Sequence, residues 1–561
     1  MERDRSMKGV LEIAKGTVGL LRSGALARQV ASGLKRYEKG DVKGALTCWL
    51  AAAKEGNAEA QYRIGLLYEQ GKGVVGSAID ALSWYSRAAG SGHAQAQERL
   101  AIIHANGCIR PPGMSDRDPA MLALFPAGLE VKADPEASLR WALAAAEQGL
   151  PTAQALAGSH YAFGERIDYL EAERWYRKAA EAGNPQGQLG LGTLLAGGYL
   201  GMADYGQAFD WFERAARQDV ATAWFYLGQL WAHGFGREAS LAEAAACYEK
   251  GALLGSAAAQ RHFGLLLLHG LSVVKHIQNG ETWLRRAALQ GDGEAMTLLG
   301  DLHTQGTEEF EPNLYEAANW YRAAAEAGHR NAQNILGQLY LSGRGLPVDP
   351  QESRVWMERA AQQGDRQAQL TIGRFYAEGI GGESSLERAM EWFTKAADQG
   401  DDHALHNIGQ LHLAGYGGKV DFAAAVAAHR DAATAGNAAS QLWLSAIYAT
   451  GDAGVEQDYG EAVRWARMAA EQGVVGAQIN LGRFLMQGLG VEQDFAEAER
   501  WLTAGAGAGE IAAVTALGEL HAGIWGSPCN PGRARELLSK AVEAGEPRAI
   551  EVMREIDKDV P

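Results

Sequence analysis

The sequence predicts an all-α fold, a right-handed α/α superhelical solenoid of about fourteen helix-turn-helix repeats of ~36 residues. Three observations carry that expectation. The phrase "WYRKAAEAGNPQGQ" at 175 returns as "WYSRAAGSGHAQAQ" at 84 and "WYRAAAEAGHRNAQ" at 320. The glycine that closes it recurs from Gly56 to Gly545, with a step of 36 residues in nine of thirteen intervals. A helix-capping residue stands fifteen positions before nearly every such glycine.

Each repeat opens with that cap. Asp41, Ser77, Asp134, Asp168, Asp204, Ser240, Asn313, Asp349, Ser385, Asp421, Asp458, Asp494 and Asn530 can accept from the free N–H groups of a first turn; His276 alone breaks the series. Pro135, Pro350 and Pro531 follow their caps, where proline costs no hydrogen bond. About fourteen residues later the glycine supplies the left-handed turn that ends the helix, with Asp219 in its place once. Asn57, Asn184, Asp292, Asp365, Asp401 and Asn437 then stand where they can cap a second helix. That helix reads "AQYRIGLLYEQGKG" at Ala60 and "AQNILGQLYLSGRG" at Ala332. Gly65, Gly337 and Gly373 are expected to admit a neighbouring helix, with Tyr68, Tyr340 and Tyr376 filling the space beside them. Ten of the fifteen tryptophans fall eight residues before the closing glycine and are expected in the core.

The W/Y-x-x-A-A-x-x-G run followed by A-Q-x-x-x-G-x-x-Y-x-x-G-x-G resembles the Sel1-like repeat family, relatives of the tetratricopeptide repeats. The resemblance spans roughly residues 41 to 550. It implies a solenoid that works as an adaptor in membrane-linked complexes, envelope or exopolysaccharide assembly, signalling regulation or host interaction. Some secreted members staple each repeat with a cysteine pair; no repeat here holds one.

The expected organisation is a basic amphipathic segment over 1–24, a degenerate first repeat or cap over 25–40, repeats over 41–107, an inserted loop over 108–133, repeats over 134–545, and a closing helix and tail over 546–561. In the insertion, Leu122, Leu124 and Phe125 form an apolar centre among prolines. Two readings stand for it, a partner-docking loop and a flap over its own repeat. In the N-terminal segment, Val10, Leu11, Val18 and Leu21 recur at helical spacing, with Lys15 and Arg22 elsewhere on the wheel. Such a helix suits a membrane surface, a membrane protein or a partner's groove, or it caps the first repeat.

The formal net charge is −16, which argues against nucleic acid. Residues 1–43 hold ten Lys/Arg against five Asp/Glu, so the acidic excess lies beyond them and suggests protein partners with basic surfaces. Cys48, Cys108, Cys247 and Cys529 are scattered, as expected of reduced cytoplasmic thiols. G-x-x-x-x-G-K-[ST], HExxH and G-x-S-x-G motifs are absent, so neither enzyme activity nor a cofactor is expected. His104, His303, His412 and His521 occupy the tyrosine slot and read as packing variants. His403 and His406 sit one helical turn apart without a specified third ligand, so no metal site is expected. Trp224, Trp231 and Trp525 depart from the tryptophan slot and are the candidate partner-binding aromatics: Trp224 reads either as displayed on an inner face or as packed in the core, and Trp525 lies in a loop where it is expected to be exposed. The leading functional reading is a non-catalytic bacterial scaffold, cytoplasmic or peripheral to the inner membrane. The rivals are a glycan or small-molecule binder using an inner groove, and a membrane organiser held by residues 1–24.

Overall fold

The computed structural model describes residues 24–107, 132–452 and 454–558. The insertion centre Leu122, Leu124 and Phe125, and the N-terminal set Val10, Leu11, Lys15, Val18, Leu21 and Arg22, lie outside them. The described residues are helical without a strand, and none of their helices is long and apolar enough to cross a membrane. The chain divides into two compact units, residues 1–290 and 291–561.

In the first unit, helical residues 24–38 precede the pairs Val42–Lys54 and Ala58–Gln70, Ala78–Gly90 and Ala94–Asn106, Pro135–Glu147 and Pro151–Phe163, Tyr169–Glu181 and Pro185–Ala196, Tyr205–Ala216 and Ala221–His233, Leu241–Leu253 and Ala257–His269, then Ile277–Leu289. The second unit repeats the scheme from Gly293–Gln305 to Pro547–Lys558. The caps act as the sequence implies: Asp134 accepts from the Ala137 N–H at 2.9 Å and Asp349 from the Glu352 N–H at 3.0 Å. His276 does not break the series, because its Nδ1 accepts from the Asn279 N–H at 3.3 Å. An imidazole nitrogen with a free lone pair serves where a carboxylate usually stands. At the turns, Gly183 takes φ 84° and Asp219 takes φ 59°, the left-handed region that glycine enters without penalty. Each next repeat is tied on by one backbone bond, such as Ser240 N–H to the Trp231 carbonyl and Asp349 N–H to the Tyr340 carbonyl, both 2.9 Å.

Within each unit, a second helix packs more extensively on the first helix that follows it than on the one before. Glycine explains why. A Cβ on Gly65 would lie 2.7 Å from the Tyr85 ring, one on Gly337 2.8 Å from Met357, and one on Gly373 2.5 Å from Phe393. The residue that fills the space beside each glycine therefore comes from the next helix. Tyr68, Tyr340 and Tyr376, three residues on in the same helix, do not fill it. Helix periodicity places a residue three positions away on a flanking row, whereas the close approach belongs to the facing helix.

A glutamine ladder runs beneath this packing. Gln333 donates to the Ala325 carbonyl at 3.1 Å and Gln369 to the Ala361 carbonyl at 3.1 Å, each a second bond to a helix-end carbonyl that also accepts from the N–H of the turn glycine. Gln363 then donates to Gln333 at 2.7 Å and Gln399 to Gln369 at 2.7 Å, which links one repeat to the next. Where Ser91 replaces the second glutamine, the buried Gln61 Oε1 is left without a partner.

The ten slot tryptophans lie at the rim of this core. Trp175, Trp356, Trp392 and Trp465 are buried, but Trp84, Trp141, Trp211, Trp283, Trp320 and Trp501 are half-buried. A cation commonly covers the outer ring face: Arg214 lies 4.5 Å from the Trp211 centroid, Arg286 4.4 Å from Trp283 and Lys395 4.0 Å from Trp392.

Candidate partner-binding trough

Four second helices of the first unit, Ala94–Asn106, Pro151–Phe163, Pro185–Ala196 and Ala221–His233, line a trough of about 790 Å3. Its walls come from one stripe of each helix, the positions three, six to seven, ten and fourteen residues after the turn. Helical periodicity puts those positions on one face, beside the row that packs on the next helix. Asn106, Thr152, Ser159, Gln186, Thr193 and Thr222 supply hydroxyls and amides, while Leu156, Leu189, Phe163 and Tyr226 supply apolar surface. Among the described residues, no charged side chain lines it.

Tyr176 forms part of the floor. Its ring lies between two glycines: a Cβ on Gly158 would stand 2.7 Å away and one on Gly190 2.4 Å away. Gly158 occupies the usual facing position, but Gly190 replaces a side chain on the inner stripe and opens the trough above the ring. Burial pushes the Tyr176 phenol up to about 12, with a hydrogen bond to Ser159 opposing the shift, so it stays a neutral hydrogen-bonding group at physiological pH.

Charge begins where the trough ends. Glu98, pushed up from the usual carboxylate range by burial, hydrogen-bonds to Thr152 at the trough wall. Beyond it the buried Glu69 accepts from the Tyr85 hydroxyl and is paired with Arg99. On the other side Gln229 meets His262 at 2.9 Å.

Trp224 and Trp231 share the helix Ala221–His233 with Thr222 and Tyr226, but the trough lining includes only the latter two. Trp224 occupies the glutamine slot, where it interrupts the ladder. It packs half-buried in the cluster that holds Cys247, the residue standing in the next tryptophan slot. Lys250 lies 4.4 Å over its ring, as the equivalent cations do over slot tryptophans. Trp231 takes the tyrosine slot, edge-on to Phe209 at 5.8 Å, with Arg237 4.8 Å over its face. Trp525, expected in an exposed loop, is half-buried in the second unit against the cluster around Leu517 and Leu537, with Nε1 enclosed and unpartnered.

In the second unit the histidine stretch forms a polar network. His406 Nδ1 and His429 Nδ1 lie 2.8 and 3.1 Å from Ser440 Oγ, and Trp443 covers His429 at 4.3 Å. His429 is buried opposite Gly409, in the slot that Phe393 fills one repeat earlier. Asp401, Asp402 and His403 place ligand atoms within 4.8 Å of one another. Both carboxylates are already engaged: Asp401 accepts from the Ala404 N–H at 2.9 Å and Asp402 from Asn437 at 3.0 Å. Motif reading singled out His406 but not His429 or Ser440, and it missed the trough lining. Both sets lie repeats apart in sequence.

Comparison with known proteins extends this geometry. The Sel1 repeat model matches thirteen times, at residues 58–93, 124–150, 151–184, 185–220, 222–256, 257–292, 293–329, 330–365, 366–401, 402–437, 438–474, 475–510 and 511–546. Its matches begin at a second helix and run through the following first helix, the same pair that the glycine contact joins; the match at 124–150 begins inside the segment 108–133. Among solved structures, c5321, a protective antigen present in uropathogenic Escherichia coli strains, is 29% identical, covers 75% of this chain and 91% of its own, and superposes with a TM-score of 0.58. A Sel1 repeat protein from Oxalobacter formigenes is 26% identical over 61% of this chain and 87% of its own, with a TM-score of 0.36. A search of curated proteins returns no significant match.

Proposed function

Because the chain belongs to the Sel1 repeat family, we propose that it is a non-catalytic scaffold whose first unit seats an extended, uncharged segment of a partner protein in the trough. One observation carries this reading. The framework positions keep alanine, glycine, glutamine and a packing ring from repeat to repeat, while the inner stripe changes each time. It reads Gln95, Glu98, Arg99, Ile102 in one repeat, then Thr152, Ala155, Leu156, Ser159, then Gln186, Leu189, Gly190, Thr193. Variation at positions free of framework duty is what recognition of a particular surface requires. Hydroxyls and amides along an apolar floor suit the amide backbone and small side chains of an extended peptide, and burying an unpaired charge there would be costly.

The acidic excess that pointed to basic partners belongs to the second unit, so the basic-surface reading applies there. We place the scaffold in the bacterial cytoplasm, where its scattered thiols remain reduced, and at the inner membrane when its partner resides there. A photo-crosslinking residue at Thr222 of the full-length protein, used in native cells, tests the trough. A single protein crosslinked there, and lost at least tenfold in a Thr193→Arg variant of unchanged circular dichroism, is the expected result. Equal crosslinking in that variant would exclude the trough as the seat.

A further inference from the structure

Within a repeat, the residue seven before the turn and the residue seven after it face each other across the two helices. Where both are rings they pack face to face: Phe212 with Tyr226 at 5.0 Å, Tyr248 with His262 at 5.1 Å and His429 with Trp443 at 4.3 Å. Eight repeats hold a ring at the first of these positions. Seven of the eight carry a side chain at the second, from Arg63 in the repeat of Trp49 to Trp443 in the repeat of His429. The exception sets Gly190 against Tyr176.

The missing side chain leaves a notch in the trough. Gly190 lines the trough between Leu156 and Tyr226, which hold the same position one repeat before and one repeat after. Packed helices lie about 8–10 Å apart, so the gap between those two walls has room for one side chain. Its bottom is the Gly190 backbone, with the buried Tyr176 ring directly beneath: a Cβ on Gly190 would stand 2.4 Å from Cε1 and 2.5 Å from Cζ. The chain therefore cannot fill the notch from position 190, because any side chain there would start inside the ring. A second chain can, from the open side of the trough. The two repeats that follow show what suits this place, since both fill it with a ring, Tyr226 and His262. Arg63 and Arg99 hold the position in the first two repeats only with Glu59 and Glu69 as partners. Among the described residues no carboxylate lines the trough, so the notch favours an uncharged ring over a cation.

We propose that Gly190 and Tyr176 form a specificity notch that takes one uncharged aromatic side chain, phenylalanine or tyrosine, from the extended partner segment, set against Tyr226 over the Tyr176 ring. The notch rests on the trough being a partner's seat, and it adds the residue that the partner must carry. The preceding repeat shows the same place closed. There Ala101, Ala142 and Leu156 stand in the positions of Gly158, Tyr176 and Gly190, with both alanines fully buried.

The test starts from the full-length protein with a photo-crosslinking residue at Thr222 in native cells, followed by mass spectrometry of the crosslinked partner peptide. That peptide is expected to contain Phe or Tyr. A synthetic peptide of the same segment should bind the purified full-length protein in fluorescence anisotropy. Changing its aromatic residue to alanine should weaken binding at least tenfold, and changing it to leucine at least threefold. The variant G158A/Y176A/G190L copies the packing of the preceding repeat, so it should keep the parent's circular dichroism while weakening the synthetic peptide at least tenfold. Should that variant unfold, the alanine peptide decides alone. No crosslink in the parent would remove the trough reading and the notch together. A crosslinked peptide without an aromatic residue, an alanine peptide that binds equally well, or a folded G158A/Y176A/G190L that binds as the parent does would each overturn the notch and leave the trough as the seat.

Discussion

The two units share a framework and differ in almost everything that faces outward. Residues 1–290 hold 31 Lys/Arg against 29 Asp/Glu, whereas residues 291–561 hold 21 against 39, a net charge of −18. Yet a glycine meets a ring in both, at Gly192 with Phe212 and at Gly373 with Phe393, and the glutamine ladder runs in both. Apart from its aspartate caps, the common framework is uncharged. It rests on close helix approach, caps and amide bonds, and so leaves surface charge free to vary. The inner stripe shows the same freedom, with Thr, Ser and Gln around the trough of the first unit and His403, His406, Asn407 and Gln410 in the second.

The sharpest way to separate the units is to break the buried ion pair of the first. Arg99 is paired with Glu69, whose side chain is 1% exposed, and Tyr85 donates to the same carboxylate. Arg99→Met leaves that carboxylate buried against one hydroxyl, a loss of about 3–5 kcal/mol. Hydrogen exchange should quicken through Ala58–Gln70 and Ala78–Asn106 while the second unit keeps its protection. The double variant Glu69→Leu, Arg99→Met should recover much of the loss, because no unpaired charge then remains.

The second unit has its own weak point, and it is set by pH. Burial holds the His429 imidazole down at about 4 from an ordinary value of 6.5, with His406 beside it also lowered. A base that binds protons less well when folded favours unfolding as pH falls, so its stability is complete above pH 6.5 and declines toward pH 4. By pH 5 the loss from His429 alone is about 2 kcal/mol. His429→Phe places in this repeat the residue that Phe393 supplies in its neighbour. Urea melts of the variant at pH 7 and pH 5 should differ by about 2 kcal/mol less than those of the parent. An unchanged pH slope would show that His429 is not the titrating group.

Trp224 tests how far sequence reading reaches. The repeat, its caps, its turns and the all-α solenoid were legible because each is encoded within about 36 residues. The helix pairing was not, because a glycine names its need for a close neighbour without naming the neighbour. The trough was illegible for a similar reason: Tyr176 and Gly190 meet only after helices stack. Trp224 left two readings open, a displayed aromatic or a packed one, since it broke the glutamine slot; the structure packs it half-buried beside Cys247, in the next tryptophan slot. Trp224→Gln should cost about 1–2 kcal/mol through lost packing. Trp224→Gln combined with Cys247→Trp restores the pattern of the other repeats and should lose less than Trp224→Gln alone. A double-mutant cycle with coupling below about 0.5 kcal/mol would separate the two sites.

The smallest effect bears on whether the framework really is common. Gly192→Ala drives a Cβ to 2.7 Å from the Phe212 ring, and Gly373→Ala to 2.5 Å from the Phe393 ring. Overpacking of this kind costs about 1–3 kcal/mol, and the better helix propensity of alanine returns about 1. Each variant should therefore lose about 1 kcal/mol. The two losses should agree within about 0.5 kcal/mol, since neither contact involves a charge. They are best read as the protection lost locally in hydrogen exchange, so that each variant reports on its own unit. If Gly373→Ala cost much more than Gly192→Ala at neutral pH, and the gap closed in high salt, the acidic surface of the second unit would be straining its framework. Equal losses at both salt concentrations would mean that charge is written on the solenoid without loading the contacts that hold it.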